Sequence, residues 1–203
     1  MSVDLWKDLI TLIAVVDPIG TIPIYLTATA GMTAAAQRRV AIRATFIAAG
    51  VLTAFIVVGQ IVLDGMGIAL ASYQVAGGIV LFLFALQMVF DPGDKVDDAD
   101  LSQGRDVAVF PVAIPSMAGP AAMMAVVILT DNSRFNVMEQ AQTAVEMYLV
   151  LGLTLLLMLA ASPIQRLIGD GGVNIVRRVM GLILAALAVQ TVVDGIKQLV
   201  SPG

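Results

Sequence analysis

Apolar positions in this chain gather into long runs and do not alternate with polar ones. Charge-poor stretches occupy about residues 5–30, 40–63, 68–90, 107–130, 145–167 and 176–199. Each approaches the ~20 residues that a helix needs to cross a hydrocarbon core about 30 Å thick. The third and fourth runs hold no charged residue; the sixth is charge-free only over 179–193, with Arg178 and Lys197 placed to snorkel at its ends. The pattern predicts an all-α integral membrane protein of six transmembrane helices forming a single domain over residues 1–203.

Two of the runs carry residues that oppose a continuous helix. The first contains Asp17-Pro18-Ile19-Gly20 followed by Pro23, and the fourth contains Pro111, Pro115, Gly119 and Pro120. Proline removes a backbone donor and pushes the preceding residue out of helical geometry. Helices broken near 17–20 and 115–120 are therefore expected. At 1.5 Å per residue, Leu5 to Asp17 is about 18 Å and Val107 to Pro120 about 20 Å, so both breaks fall near the bilayer midplane.

The third and sixth runs resemble each other. Gly78–Asp91, GIVLFLFALQMVFD, and Gly181–Asp194, GLILAALAVQTVVD, are identical at six of fourteen positions, 103 residues apart. Setting Pro18 on Pro120 aligns the two breaks at an offset of 102. Two repeats, 1–98 and 106–203, of three helices each must enter the membrane from opposite sides. That is the inverted-topology plan of many secondary transporters.

Charge sets the orientation. With the N-terminus outside, the inner loops collect Arg38, Arg39, Arg43, Lys95, Arg105, Arg166, Arg177 and Arg178, and the outer side keeps Lys7, Arg134 and Lys197. Both termini are thus expected on the periplasmic face. An acidic n-region (Asp4, Lys7, Asp8) and the Asp17-Pro18 interruption argue against a cleaved signal peptide and for a retained first span. Six acidic residues, Asp91, Asp94, Asp97, Asp98, Asp100 and Asp106, cluster in one segment that reads as a solvated loop.

Composition narrows the chemistry. The chain is 59% hydrophobic and 13% charged, with no cysteine and no histidine. The commonest general base, the commonest metal ligand and the thiolate nucleophile are all missing. No catalytic residue and no metal ligand is therefore assigned. A net charge of −4 gives no footing for a nucleic-acid partner.

Irregular backbone at midplane depth must be buried in protein or line a wet cavity. Half-helix N-termini suit a carboxylate, and carbonyl ends suit a cation. The substrate-binding candidates are therefore Asp17, Pro18, Gly20 and Thr21 in the first break and Pro115, Ser116, Ala118, Gly119 and Pro120 in the second. Such a site fits a small zwitterion. Asp17 is the one carboxylate this reading places in the core, either facing a cation or capping the helix that follows. Gln87 and Gln190, each four residues before an aspartate, are accessory polar candidates or interhelical glue.

These segments resemble the MarC-like family of six-span inner-membrane proteins. The resemblance rests on DPIGTIPIYL, FPVAIPSMAGPAAM and the arginine-rich start of the second span. Asp17, Pro18, Gly20, Pro23, Pro115, Gly119 and Pro120 fit the family's two motifs, while Ala121 stands where the second usually has glycine. The resemblance implies a bacterial inner-membrane transporter of small neutral amino acids such as glycine and alanine, coupled to H+ or Na+ and needing no other cofactor. Its partners are a small zwitterionic substrate and the lipid bilayer; nothing in the pattern selects an oligomeric state. The rival readings are a small-solute efflux protein, or a channel or oligomeric scaffold without amino acid transport; an intramembrane enzyme lacks a second facing carboxylate.

The orientation is open to test. A cysteine introduced as Ser2→Cys is expected to react with an impermeant maleimide added to intact spheroplasts. Labelling only after lysis would reverse the topology.

Overall fold

A computed structural model describes residues 2–90, 106–132 and 135–200. Among the described residues the chain is helical, with no strand. In chain order the elements are α1 (Ser2–Val16), α2 (Thr21–Ala28), α3 (Ala34–Gly65), α4 (Leu70–Phe90), α5 (Ala108–Met117), α6 (Pro120–Leu129), α7 (Val137–Leu159) and α8 (Ala161–Val200). Five helical stretches are long and apolar enough to cross a membrane, or six when the bent pair α5 and α6 counts as one.

The stretch Trp6–Ala28, which joins α1 and α2, is well enclosed: 61% of its apolar window is buried, against 17% for α3 and 22% for Arg178–Val200. It therefore sits inside the bundle. The outer helices turn Val57, Val58 and Ile61 of α3 and Val179, Leu182 and Val189 of α8 outward. On a membrane protein these are lipid-facing groups and need no further partner.

Hydrocarbon supplies no hydrophobic drive between helices, so close packing of small residues has to hold them. On α3, the buried stripe Ala41, Ala44 and Ala48 faces the half of the bundle that holds Ala113, Ala118, Ala121 and Ala122. α4 and α8 run antiparallel and share the most extensive helix contact. Three glycines bring them together. A Cβ on Gly78 would lie 2.6 Å from Val192 Cγ2 and 3.0 Å from the Ala188 carbonyl oxygen. A Cβ on Gly181 would lie 2.9 Å from Val89 Cγ2 and 3.0 Å from the Ala85 carbonyl oxygen. Gly195 approaches Ala71 and Val75 in the same way.

Two expectations need correction. The fifth apolar run was placed at 145–167, but the helix there is Val137–Leu159. Its start is set by a capping box: Asn136 Oδ1 accepts from the Met138 and Glu139 amides, and Glu139 Oε2 accepts from the Asn136 amide. Two orphan-donor problems are solved reciprocally, and the polar first turn extends the helix beyond its apolar run. Helical geometry after Leu159 resumes at Ala161 and is interrupted at Gly169, whose φ of 66° suits glycine.

Asp106 is also not merely part of a solvated loop. Its Oδ2 accepts from the Arg43 guanidinium at 2.5 Å, and its Oδ1 accepts from the Ala108 amide, fixing the start of α5 against α3. The other acidic residues of that segment, and Asp91 with them, lie outside the described residues.

The glycine contacts predict a measurable asymmetry. Gly78→Leu is expected to destabilise the protein by about 1–3 kcal/mol, because the neighbour is backbone and cannot yield. Gly50→Ala, on an exposed helix face with no atom within 4 Å of the new Cβ, is expected to be stabilising. Thermal unfolding in detergent checks both; equal melting shifts would refute the close approach.

Candidate functional site

Regular helix ends at Val16 and resumes at Thr21, while the Asp17 amide still donates to the Ile13 carbonyl at 3.0 Å. Asp17 stands between with φ of 47°, the left-handed region that Asp tolerates better than most residues. Its position before Pro18 disfavours ordinary helical geometry, and the chain turns there. The Asp17 side chain folds over the turn, its Oδ1 accepting from the Gly20 amide at 2.9 Å. Its carbonyl oxygen accepts from the Thr21 amide and the Thr21 hydroxyl, both at 3.0 Å. A Cβ on Gly20 would meet Asp17 Oδ2 at 1.9 Å, so a side chain there would push the Asp17 carboxylate off the turn. Pro23 then falls in the first turn of α2, where its missing N–H costs nothing.

The second interruption is built differently. Phe110 and Ile114, each preceding a proline, are extended within α5. The Ala118 amide closes the segment on the Ala113 carbonyl at 2.8 Å. Gly119 is extended (φ −80°, ψ 169°), and Pro120 opens α6 as its first residue. The axes of α5 and α6 differ by 52°. A Cβ on Gly119 would lie 2.6 Å from the Pro115 carbonyl oxygen, so the tight turn excludes a side chain.

One hydrogen bond joins the two interruptions. Thr21 Oγ1 and Ser116 Oγ lie 3.0 Å apart, although the residues are 95 positions apart in the chain. The Thr21 hydroxyl proton goes to the Asp17 carbonyl, so Ser116 is the donor to Thr21. Asp17, Pro18, Gly20, Thr21, Ala118 and Gly119 are buried, Ser116 is half-buried, and Pro115 and Pro120 are exposed. Asp17 keeps 8% of its surface, Thr21 1%.

The accessory glutamines separate. Gln87 is exposed, and among the described residues no hydrogen bond ties it to another helix; its aspartate, Asp91, lies outside the described residues. Gln190 donates to Asp194 Oδ1 on its own helix at 2.9 Å, so this pair is an i,i+4 contact and not interhelical glue. Gln190 also lies on the wall of a cavity of about 340 Å³. The apolar part of that cavity includes Leu81 and Leu184, and its polar part Lys7, Asp8, Gln74 and Asp194. None of the residues from the two interruptions lines it.

Asp17 is also not the only carboxylate in the core. Asp131, fully buried after α6, accepts from Gln60 Nε2 at 2.9 Å while Gln60 Oε1 accepts from the Asn132 amide. That clamps the loop to the end of α3. Glu146 is 9% exposed, and its Oε2 has no hydrogen-bond partner among the described residues. It was missed because the fifth run was started at 145, leaving Glu146 at an interfacial edge. The Asn136-x-x-Glu139 capping signature was the signal that would have moved it inward.

Comparison with known proteins adds the family. Residues 3–200 match the family described as "MarC family integral membrane protein". The chain is similar to the UPF0056 inner membrane protein YhgN of Escherichia coli K12, 32% identical over 188 residues and 93% of each chain. It is 34% identical to a UPF0056 membrane protein of Buchnera aphidicola subsp. Schizaphis graminum, again over 93% of each. An archaeal relative, a UPF0056 membrane protein of Archaeoglobus fulgidus, is 31% identical over 93% of this chain and 90% of its own. No solved structure matches.

The contact between the two interruptions is expected to be a real energetic coupling. In a double-mutant cycle, Thr21→Val and Ser116→Ala should show an interaction of about 0.5–1.5 kcal/mol in thermal or denaturant unfolding. Strict additivity would mean that the two segments touch without depending on each other.

Proposed function

The chain belongs to the MarC family of integral membrane proteins, and from that premise we propose that it is a secondary transporter of small neutral amino acids such as glycine and alanine. The substrate is held between the interruptions at 17–20 and 115–120, and transport is coupled to H+ or Na+. The observation that carries this reading is the Thr21–Ser116 hydrogen bond, which joins two departures from helix that sequence distance gives no reason to meet. Backbone that leaves helical geometry inside a membrane protein is tolerated where it is buried or serves a site. The left-handed Asp17 adds to the case, since residues held in sparsely populated geometry concentrate at ligand clamps and switches.

Alternating access between inverted repeats is part of the same proposal, and the packing of α4 on α8 favours it. The 103-residue offset that relates the two segments carries Gly78 to Gly181, Ala85 to Ala188 and Val89 to Val192. Gly78 packs on Ala188 and Val192, and Gly181 packs on Ala85 and Val89. Contact of i with j and of j with i is the mark of a two-fold relation, here between segments of one chain. Repeats related by an axis in the membrane plane are the architecture in which one half rocks against the other. Placement in the inner membrane follows the name of the E. coli relative.

The roles of Asp17 can be separated. Asp17→Asn keeps the capping oxygen and removes the charge; in proteoliposomes loaded against labelled glycine or alanine, flux is expected to fall at least about tenfold with little change in melting temperature. Asp17→Ala should lose flux and also about 0.5–2 kcal/mol of stability, the usual worth of a cap. Wild-type flux in Asp17→Asn would reduce Asp17 to a cap; no flux of either amino acid in the wild-type protein would sink the transport reading.

A further inference from the structure

A buried carboxylate with an oxygen that nothing satisfies is rare enough to need a reason. Glu146 is the tenth residue of α7, about 14 Å along the helix from Val137. It lies within a stretch apolar enough to cross the membrane and faces inward with Thr143, Met147 and Val150. Its Oε2 accepts from no donor among the described residues. Three other embedded or capping carboxylates in this protein are each engaged: Asp17 by the Gly20 amide, Asp131 by Gln60, and Glu139 by the Asn136 amide. The orphan is therefore not a habit of this fold.

Among the described residues no cation forms an ion pair with Glu146. At this end of the bundle the elements packed against α7 bring Lys7 and Asp8 on α1, Asp64 on α3, Asp131 after α6, and Asp194 and Lys197 on α8. Of these, the charge that reaches Glu146 is that of Asp8, and it has the same sign. Asp8 also lies on the wall of the cavity described above, beside Lys7 and Thr11. Among the described residues no group of three His, Cys, Asp or Glu side chains gathers to form a multi-carboxylate metal cage. A proton needs only one oxygen. An unpaired carboxylate in a dry site is expensive, whereas the neutral acid costs about what a buried hydroxyl does.

We propose that Glu146 is the group that binds the coupling proton. The carboxylate takes H+ from water, forming one O–H bond and breaking none in the protein, and returns H+ to water when substrate movement changes the α1–α7 interface. The side chain is charged only while the proton is away. This deepens the transport reading and rests on it: of the two coupling ions left open, it selects H+.

The test uses the full-length protein in proteoliposomes and reads two signals. The first is the infrared carbonyl stretch of a protonated carboxyl group, followed between about pH 5 and pH 9. The wild type should show a titrating band that Glu146→Gln abolishes and Glu146→Asp retains. The second is transport. Alanine uptake driven by an imposed pH gradient should fall at least about tenfold in Glu146→Gln, while exchange of labelled for unlabelled alanine stays within about threefold of wild type. Glu146→Asp should recover gradient-driven uptake. If Glu146→Gln does not fold, Glu146→Leu replaces it, since an apolar side chain suits a buried position that lacks partners. A wild-type spectrum without the band, a band that survives the loss of Glu146, or undiminished pH-driven uptake in Glu146→Gln would each overturn the assignment. If the band titrates as described but no amino acid moves, Glu146 binds a proton and the transport reading alone has failed.

Discussion

Inside a bilayer a backbone N–H or C=O without a partner costs several kcal/mol, and no water is at hand to supply one. Each place where this chain leaves helical geometry at depth is closed by its own atoms. At the first interruption the Asp17 side chain takes the Gly20 amide and the Asp17 carbonyl takes the Thr21 amide and hydroxyl. At the second, Ala118 reaches back to Ala113, and prolines stand where a donor would otherwise go begging. Gly20 and Gly119 leave room for these turns, since a Cβ on Gly20 would collide with the Asp17 carboxylate and one on Gly119 with the Pro115 carbonyl.

Those closures explain why the first stretch lies at the centre. A segment with exposed backbone ends has to be surrounded by protein, and Trp6–Ala28 is far more enclosed than α3, α4, α7 or Arg178–Val200. Exposed apolar positions fall to α3, α4, α7 and the latter part of α8, and α3 and α7 start from side-chain caps. The packing between them relies on small residues, because in hydrocarbon the gain comes from close approach and not from expelling water. The alanine stripe on α3 and the paired glycines of α4 and α8 are two forms of one solution.

The buried polar groups divide by whether they are satisfied. Asp131 and Gln60 form a closed structural clamp, and Thr29 and Thr154 return their hydroxyls to the preceding turn at 2.7 and 2.8 Å. Such groups cost little and fix geometry. Glu146 stands apart, with one oxygen unsatisfied and a like charge as its neighbour. The two functional proposals rest on different members of this inventory, Asp17 with Thr21 and Ser116 for substrate, Glu146 for the proton.

By itself the sequence determined the class of the fold, the approximate spans and the family, and it marked two places whose residues oppose regular helix. Each of these is a local consequence of residue type: long apolar runs have one use in a bilayer, and proline beside glycine or aspartate cannot continue a helix. It also named nearly every residue around the two interruptions, because the groups that break a helix are the groups that must then close it. Tertiary structure decided the rest. That Thr21 meets Ser116, that Gln87 is exposed while Gln190 lies on a cavity wall, and that Asp131 is buried are outcomes of which faces pack together, which no single segment encodes. The start of α7 lies between the two cases. Its capping box was legible at Asn136 and Glu139, but hydropathy outweighed it, and the eight residues lost hid Glu146 at an edge when packing against α1 places it inside.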